Sequence, residues 1–353
     1  MLLISLFITF LLEFFFTPTE DYLQKYGERV AVWFYGKFDT GSKNIAIISW
    51  LLILFLCIFV IWLLWTLVVF VHPVLGFVFF IGILFFNLGF KRYLNKFVNI
   101  SKHLKNGDIE LARSALGNWA SSVKKDEVLH DVIINGNTQQ IARETIKLVV
   151  TSLHRNLFGP VFWLCFLPGP VGLVLYKFAM ITQQETFRFN QSKNGEKLDC
   201  SEKEILTDDL NEISEKSDTD AFSEIADRAF FWIDWLPSRA TSLVFAVVGN
   251  FEDAYAMGRY YSIQSSDKNS SLNTDAFILA AGEGAMMLSL SIPTAISGDK
   301  QLDTFEEEVT KLDLPEPDVN SMKVAVGLMW RSLILWIVIL TLVSFGYVLN
   351  VFY

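Results

Sequence analysis

Cysteine is scarce in this 353-residue chain: Cys57, Cys165 and Cys200 are the whole set. They are an odd number without metal-ligand spacing, which argues against a disulfide framework or a zinc ribbon. The four histidines, His72, His103, His130 and His154, do not recur at i, i+3 or i+4, so no helix offers a paired-imidazole metal site. No Gly-rich phosphate loop of the Walker type, no HExxH and no GxSxG occurs. Charge is also thin. Only 19% of residues are Asp, Glu, Lys or Arg, and 38 acids against 29 bases leave a net −9. That balance argues against a nucleic-acid partner.

What the chain has in quantity is apolar surface: 52% of residues are hydrophobic and 32 are Phe. Residues 45–90 run for 46 positions without a single charge. A spanning helix needs about 20 apolar residues, so the run accommodates two. His72-Pro73 divides it, because proline cannot donate the hydrogen bond that a continuing helix requires. The run therefore reads as a helical hairpin with arms 45–71 and 74–90; Trp50, Trp62 and Trp65 lie in the first arm. Residues 1–16 are apolar apart from Glu13 and lack the basic start of a secretory signal, so they read as a retained anchor. Beyond Arg331 the chain is uncharged to Tyr353, a C-terminal span with its basic flank at the start.

Residues 156–181 are long enough to cross, but Pro168-Gly169-Pro170 breaks them into two short arms. A re-entrant or interfacial hairpin is the preferred reading over a single kinked span. Residues 91–155 carry eleven Lys or Arg against six acids, with Lys91 and Arg92 at the helix exit, which places that region in the cytoplasm. If 156–181 returns, residues 91–329 are cytoplasmic and the chain has four spans with both termini outside.

Within the polar part, residues 108–120 and 139–153 show helical periodicity. Ile141, Thr145, Leu148 and Ser152 form a packing face, and Arg143, Glu144 and Lys147 a solvated one. Residues 196–227 hold twelve acids and three lysines and read as an acidic insert. Without it the chain has 26 bases and 26 acids, so the acidity belongs to this one segment. Residues 301–320 are a second polar linker. In residues 228–261, Pro237 is expected to start a new helix, with Asp234 and Arg239 pairing across the break. Asn250, Glu252 and Asp253 offer either a site for magnesium or a cationic group, or charge matched to a helix N-terminus. Gly282 and Gly284, in AAGEGAMM, permit close backbone approach. Cys57 and Cys165, in apolar runs, read as inert core residues.

The ordered blocks LARSALGNW, KKDEVL, TSLHRNLFGPVFWLCFLPGPVGLVLYKFA, RAFFWIDWLPSRATSLVFAVVGNFEDA and ILAAGEGAMM resemble the CobD/CbiB and AmpE family of bacterial inner-membrane proteins. The resemblance covers roughly residues 111–290 and the layout of the membrane helices. Its cobalamin branch implies the step that joins an aminopropanol-type linker to adenosylcobyric acid, with a corrinoid and Mg-ATP bound; its AmpE branch implies a non-enzymatic regulator of β-lactamase induction and cell-wall state. Pro160, Trp163, Pro168, Gly169, Pro170, Pro237 and Arg239 keep the structural pattern. The acids and amides of the cobalamin pattern are replaced: Thr151, Ser152 and Arg155 precede the Pro-x-Phe-Trp block, Met180 and Gln183 follow the next helix, Phe230 and Phe231 stand where two Asp are usual, and Asp234 stands where Asn is usual. Removing those carboxylates takes away metal binding and charge stabilisation.

The expectation is an all-α polytopic membrane protein of the bacterial inner membrane, with about four transmembrane helices, a re-entrant or interfacial hairpin and a large helical cytoplasmic part. It divides into 1–90 with the hairpin at 45–90, 91–155, the broken hairpin 156–182, the acidic insert 183–227, core helices 228–300, the linker 301–326 and the last helix 327–353. Its partners are the lipid bilayer and an anionic small molecule. The ligand-binding candidates are His154, Arg155, Asn156, Arg228, Asp234, Arg239, Asn250, Glu252 and Asp253. No residue is assigned to catalysis or to a metal, and the sequence leaves the oligomeric state open.

Overall fold

A computed structural model describes residues 2–16, 27–31, 43–120, 127–186, 221–266, 274–290 and 314–352. Most of the acidic insert and of the 301–320 linker lies outside these residues. Among the described residues every regular element is helical. In chain order, besides a short helical piece at 27–31, they are α1 (Leu2–Phe15), α2 (Lys43–Val71), α3 (Pro73–Asn87), α4 (Phe90–Asn106), α5 (Ile109–Ala120), α6 (Glu127–Asn135), α7 (Thr138–Leu153), a π-helical turn (His154–Phe158), α8 (Gly159–Phe166), α9 (171–186), α10 (Ala221–Val248), α11 (Phe251–Ser266), α12 (Thr274–Met286) and α13 (Ser321–Phe352).

Three stretches are long and apolar enough to cross a membrane: Asn44–Val71, Pro73–Asn106 and Ser321–Ser344. The fourth span expected at residues 1–16 is not among them, because α1 has only 14 residues and a crossing needs about 20. The turn between α2 and α3 forms for a local reason. His72 adopts an extended conformation, its Nδ1 accepts the Val74 N–H at 3.2 Å, and Pro73 takes the first helical position, where its missing N–H costs nothing. Glu13, the one charge in the N-terminal apolar segment, is buried and accepts the Lys91 N–H at 2.7 Å. It thereby satisfies a free donor at the start of α4, where negative charge also suits the helix dipole.

The helices enclose one large apolar core, drawn from α1 and from α3 to α13, and a smaller one in which α2, α9 and α10 meet. On α7, Ile141, Thr145, Leu148 and Ser152 are buried, while the face expected to be solvated is closed by ion pairs. Arg143 reaches Glu316 at 3.3 Å, and Lys147 reaches Glu144 at 2.8 Å. Cys165 is on the exposed side of α8, not in the core, since Val161 and Leu164 take the inward positions of that short helix.

Pro237 corrects a second expectation: it lies inside a continuous α10 rather than at a helix start. A mid-helix proline leaves the carbonyl four residues earlier without its donor and costs about 3 kcal/mol. Here that carbonyl belongs to Ile233, and Trp163 Nε1 of α8 donates to it at 3.1 Å. The indole replaces the missing backbone donor, so two residues 74 positions apart act as one joint. Trp163→Phe keeps the ring and removes that donor. A loss of about 1–2 kcal/mol of stability is expected, read as a lower unfolding midpoint in detergent; an unchanged midpoint would show that Pro237 needs no substitute donor.

Candidate functional site

The π turn between α7 and α8 inserts an extra residue into the helix, and His154, Arg155 and Asn156 all turn inward as a result. Such bulges recur where side chains must be re-aimed. His154 has no exposed surface. Its Nε2 lies 2.9 Å from Asp234 Oδ1 and its Nδ1 lies 3.0 Å from Thr241 Oγ1. A carboxylate oxygen accepts, so the Nε2 proton points to Asp234, and Nδ1 shares a second hydrogen bond with the Thr241 hydroxyl. Tyr176 donates to the same Asp234 oxygen at 2.7 Å, and Thr274 donates to the other. Four elements thus converge on one carboxylate: the π turn, α9, α10 and α12.

A second layer lies beside the first. Arg155 makes a two-pronged bond to Asp275 on α12, Nε to Oδ1 at 2.9 Å and a terminal nitrogen to Oδ2 at 2.8 Å. Its guanidinium also sits 5.2 Å from the centroid of the Phe230 ring. Burial works against its charge, but Asp275, Tyr176 and Asp234 outweigh that and hold its pKa above the ordinary value. Tyr261 is pushed up by burial and by the same Asp275. Lys177, fully enclosed, donates to Asn156 Oδ1 at 2.6 Å, while Asn156 Nδ2 donates back to Ser152 O at 2.9 Å. Close backbone packing makes room for this cluster. A Cβ on Gly159 would lie 2.3 Å from the Tyr176 ring, so glycine lets the phenol reach Asp234.

The structure separates the sequence candidates into three groups. His154, Arg155, Asn156 and Asp234 come together. Arg228 is exposed and pairs with Glu224 at 2.6 Å, and Arg239 lies over the rings of Trp235 and Phe277 at 4.0 and 5.0 Å. The expected Asp234–Arg239 pair does not form: the five-residue step on an unbroken helix puts them on different faces, and Asp234 is taken by His154, Tyr176 and Thr274. Asn250, Glu252 and Asp253 form a helix start. Asn250 Oδ1 accepts the Asp253 N–H at 3.3 Å, its Nδ2 donates to Asp253 at 2.6 Å, and Glu252 faces outward. Among the described residues no three His, Cys, Asp or Glu groups are placed to hold a metal ion.

Comparison with family models, with curated proteins and with solved structures finds no match. The chemistry of the centre must be read from its own residues. Thr241, His154 and Asp234 have the connectivity of a hydroxyl–imidazole–carboxylate relay, but all three are completely enclosed, so the hydroxyl meets no substrate in this conformation. The donor set also does not suit Mg-ATP. Asp234 is fully enclosed and already bonded to three side chains, and Asp275 is clamped by an arginine, so neither carboxylate is presented to a cation. Tyr176, Lys177, Thr241, Thr274 and Asp275 belong to the centre without having been singled out from the sequence. Lys177, the one charge in the 156–181 apolar stretch, is the clearest signal of the five, because an isolated charge in such a run requires a partner.

Proposed function

We propose that this chain is a multi-pass protein of the bacterial inner membrane, related to the CobD/CbiB and AmpE family, that acts as a non-catalytic, AmpE-like regulator of β-lactamase induction and cell-wall state. The observation that carries this reading is the closure of the polar centre. Where a synthase needs free carboxylates for metal and nucleotide, this chain has Arg155 bound to Asp275, Phe230 beneath that guanidinium, and Asp234 satisfied by its own neighbours. Such a set joins helices; it does not bind a polyanion.

In this reading α2 and the Pro73–Asn106 stretch, in which α3 runs on into α4, form a spanning hairpin, α13 is a third span, and residues 156–182 re-enter from one side. Two contacts support the re-entry. Trp50 Nε1 of α2 donates to Thr182 at 3.3 Å, and Gly169, at the Pro-Gly-Pro tip with φ +61°, packs against the Trp65 ring. Trp50 and Trp65 are separated by about 22 Å along a helix, so the hairpin goes deep and returns. The basic region 91–155 then faces the cytoplasm.

Deletion of the gene tests the functional half. Corrinoid-dependent growth is expected to be unchanged and the β-lactam response altered. A deletion strain that became a corrinoid auxotroph, rescued by cobinamide but not by cobyric acid, would restore the synthase reading.

A further inference from the structure

The outward face of α10 is apolar from Trp232 to Val247, apart from Arg239; nearer the N-terminus the same face carries the exposed Arg228, paired with Glu224. Trp232 is 70% exposed, Leu236 48%, Leu243 59% and Val247 57%. Steps of four, seven and four residues put them on one stripe of an α-helix. Asp234 and Thr241, seven residues apart, occupy the opposite face and are buried in the polar centre. Arg239 falls within the apolar stripe, its guanidinium stacked on Trp235.

Both ends of this helix are tied to the same end of the spans. At its N-terminal end Phe222, Ala226 and Phe230 share a core with Ala46, Trp50 and Ile53, near the start of α2. At its C-terminal end the Val248 carbonyl accepts from Arg331 at 2.9 Å, one residue from Trp330, whose ring meets Phe90 at 4.9 Å. Phe90 opens α4, just before Lys91 and Arg92. Because α2 and α3 form an antiparallel hairpin, the start of α2 and the exit of α3 lie on one side, and Arg331 flanks the charge-free part of α13 at the same level. With 28 residues α10 is about 42 Å long, more than enough for a 30 Å hydrocarbon core. Ends that return to one level mean that it runs along the membrane face instead of through it.

We infer that α10 is an in-plane interfacial helix whose stripe of Trp232, Leu236, Leu243 and Val247 is seated in the lipid leaflet at the boundary of headgroups and acyl chains, with Arg239 at the headgroup phosphates. Tryptophan and arginine side by side suit that boundary, the indole with its apolar body and the guanidinium with its phosphate partner. The polar centre therefore hangs beneath the leaflet surface, sealed on the lipid side by α10. This inference rests on the membrane reading above and adds the position of a helix that is not itself a span.

The test uses the full-length chain with Cys57, Cys165 and Cys200 replaced by Ala and single cysteines introduced as Trp232→Cys, Leu236→Cys, Leu243→Cys and Val247→Cys. Each is labelled with an environment-sensitive fluorophore and reconstituted in phosphatidylcholine–phosphatidylglycerol vesicles. Phe59→Cys, in the middle of α2, is the control. Lipids carrying a nitroxide near the headgroup are expected to quench all four stripe positions more than lipids carrying it deep in the chain, with the order reversed at Phe59. Quenching of the stripe by water-soluble nickel, or by neither quencher as under a protein partner, with lipid quenching intact at Phe59, would overturn the inference and leave the membrane reading standing. Deep quenching at Leu236 and Leu243 would make α10 a crossing helix and equally overturn it. Absence of lipid quenching at Phe59 would remove both.

Discussion

Asp234→Ala is expected to destabilise the protein by about 3–5 kcal/mol, because three buried donors lose their acceptor at about 1–3 kcal/mol each. The carboxylate has no exposed surface and receives His154, Tyr176 and Thr274. Its removal strands three enclosed donors, each of which then bears its desolvation cost without a partner. The vacancy also leaves the positive side of the centre, Arg155 and Lys177, less well balanced. Asp234→Asn keeps the shape and one acceptor oxygen, so its loss is expected to be smaller. Unfolding midpoints of the purified protein in detergent decide this. If Asp234→Ala melts together with the wild type, the carboxylate is not the joint between the π turn, α9, α10 and α12.

The second large effect is expected at a glycine. A Cβ on Gly284 would lie 2.3 Å from the Asp253 carbonyl oxygen and 2.6 Å from Ala254 Cα, both backbone atoms of α11. Neither can rotate away, so Gly284→Ala must push α11 and α12 apart, at a cost of about 1–3 kcal/mol for overpacking. Gly282, two residues earlier, meets nothing nearer than 3.8 Å, and those neighbours are side chains. Gly282→Ala is therefore expected to be neutral or to stabilise by up to about 1 kcal/mol through helix propensity. Opposite signs for the two substitutions, read as unfolding midpoints, are the expected result. Equal effects would mean that the α11–α12 contact is not set by backbone approach.

The same pair shows where sequence reading stops. AAGEGAMM marks both glycines alike, and only the α11 backbone distinguishes them. The hairpin at His72-Pro73 was legible because a charge-free run of 46 residues and a proline are one-dimensional signals. So was the grouping of His154, Arg155 and Asn156 beside an apolar stretch. Their partners were not. Thr241, Thr274 and Asp275 lie 87 to 120 residues from the π turn, with no motif to link them. Pro237 misled for a physical reason: its effect on α10 is offset by Trp163 Nε1, a donor from another helix that no local rule anticipates. The short first helix misled in another way, since Glu13 read as a blemish in an anchor and is in fact a cap for α4.

The claim that the polar centre is a structural joint and not a reacting site is tested most directly by the Asp234→Asn chain expressed in the deletion strain, measuring the β-lactam response restored per folded molecule in the membrane. The expected result is a response per folded molecule equal to that of the wild type, with any deficit confined to the amount of folded protein. Asp234→Asn protein present at wild-type levels, folded and without restored response, would contradict it.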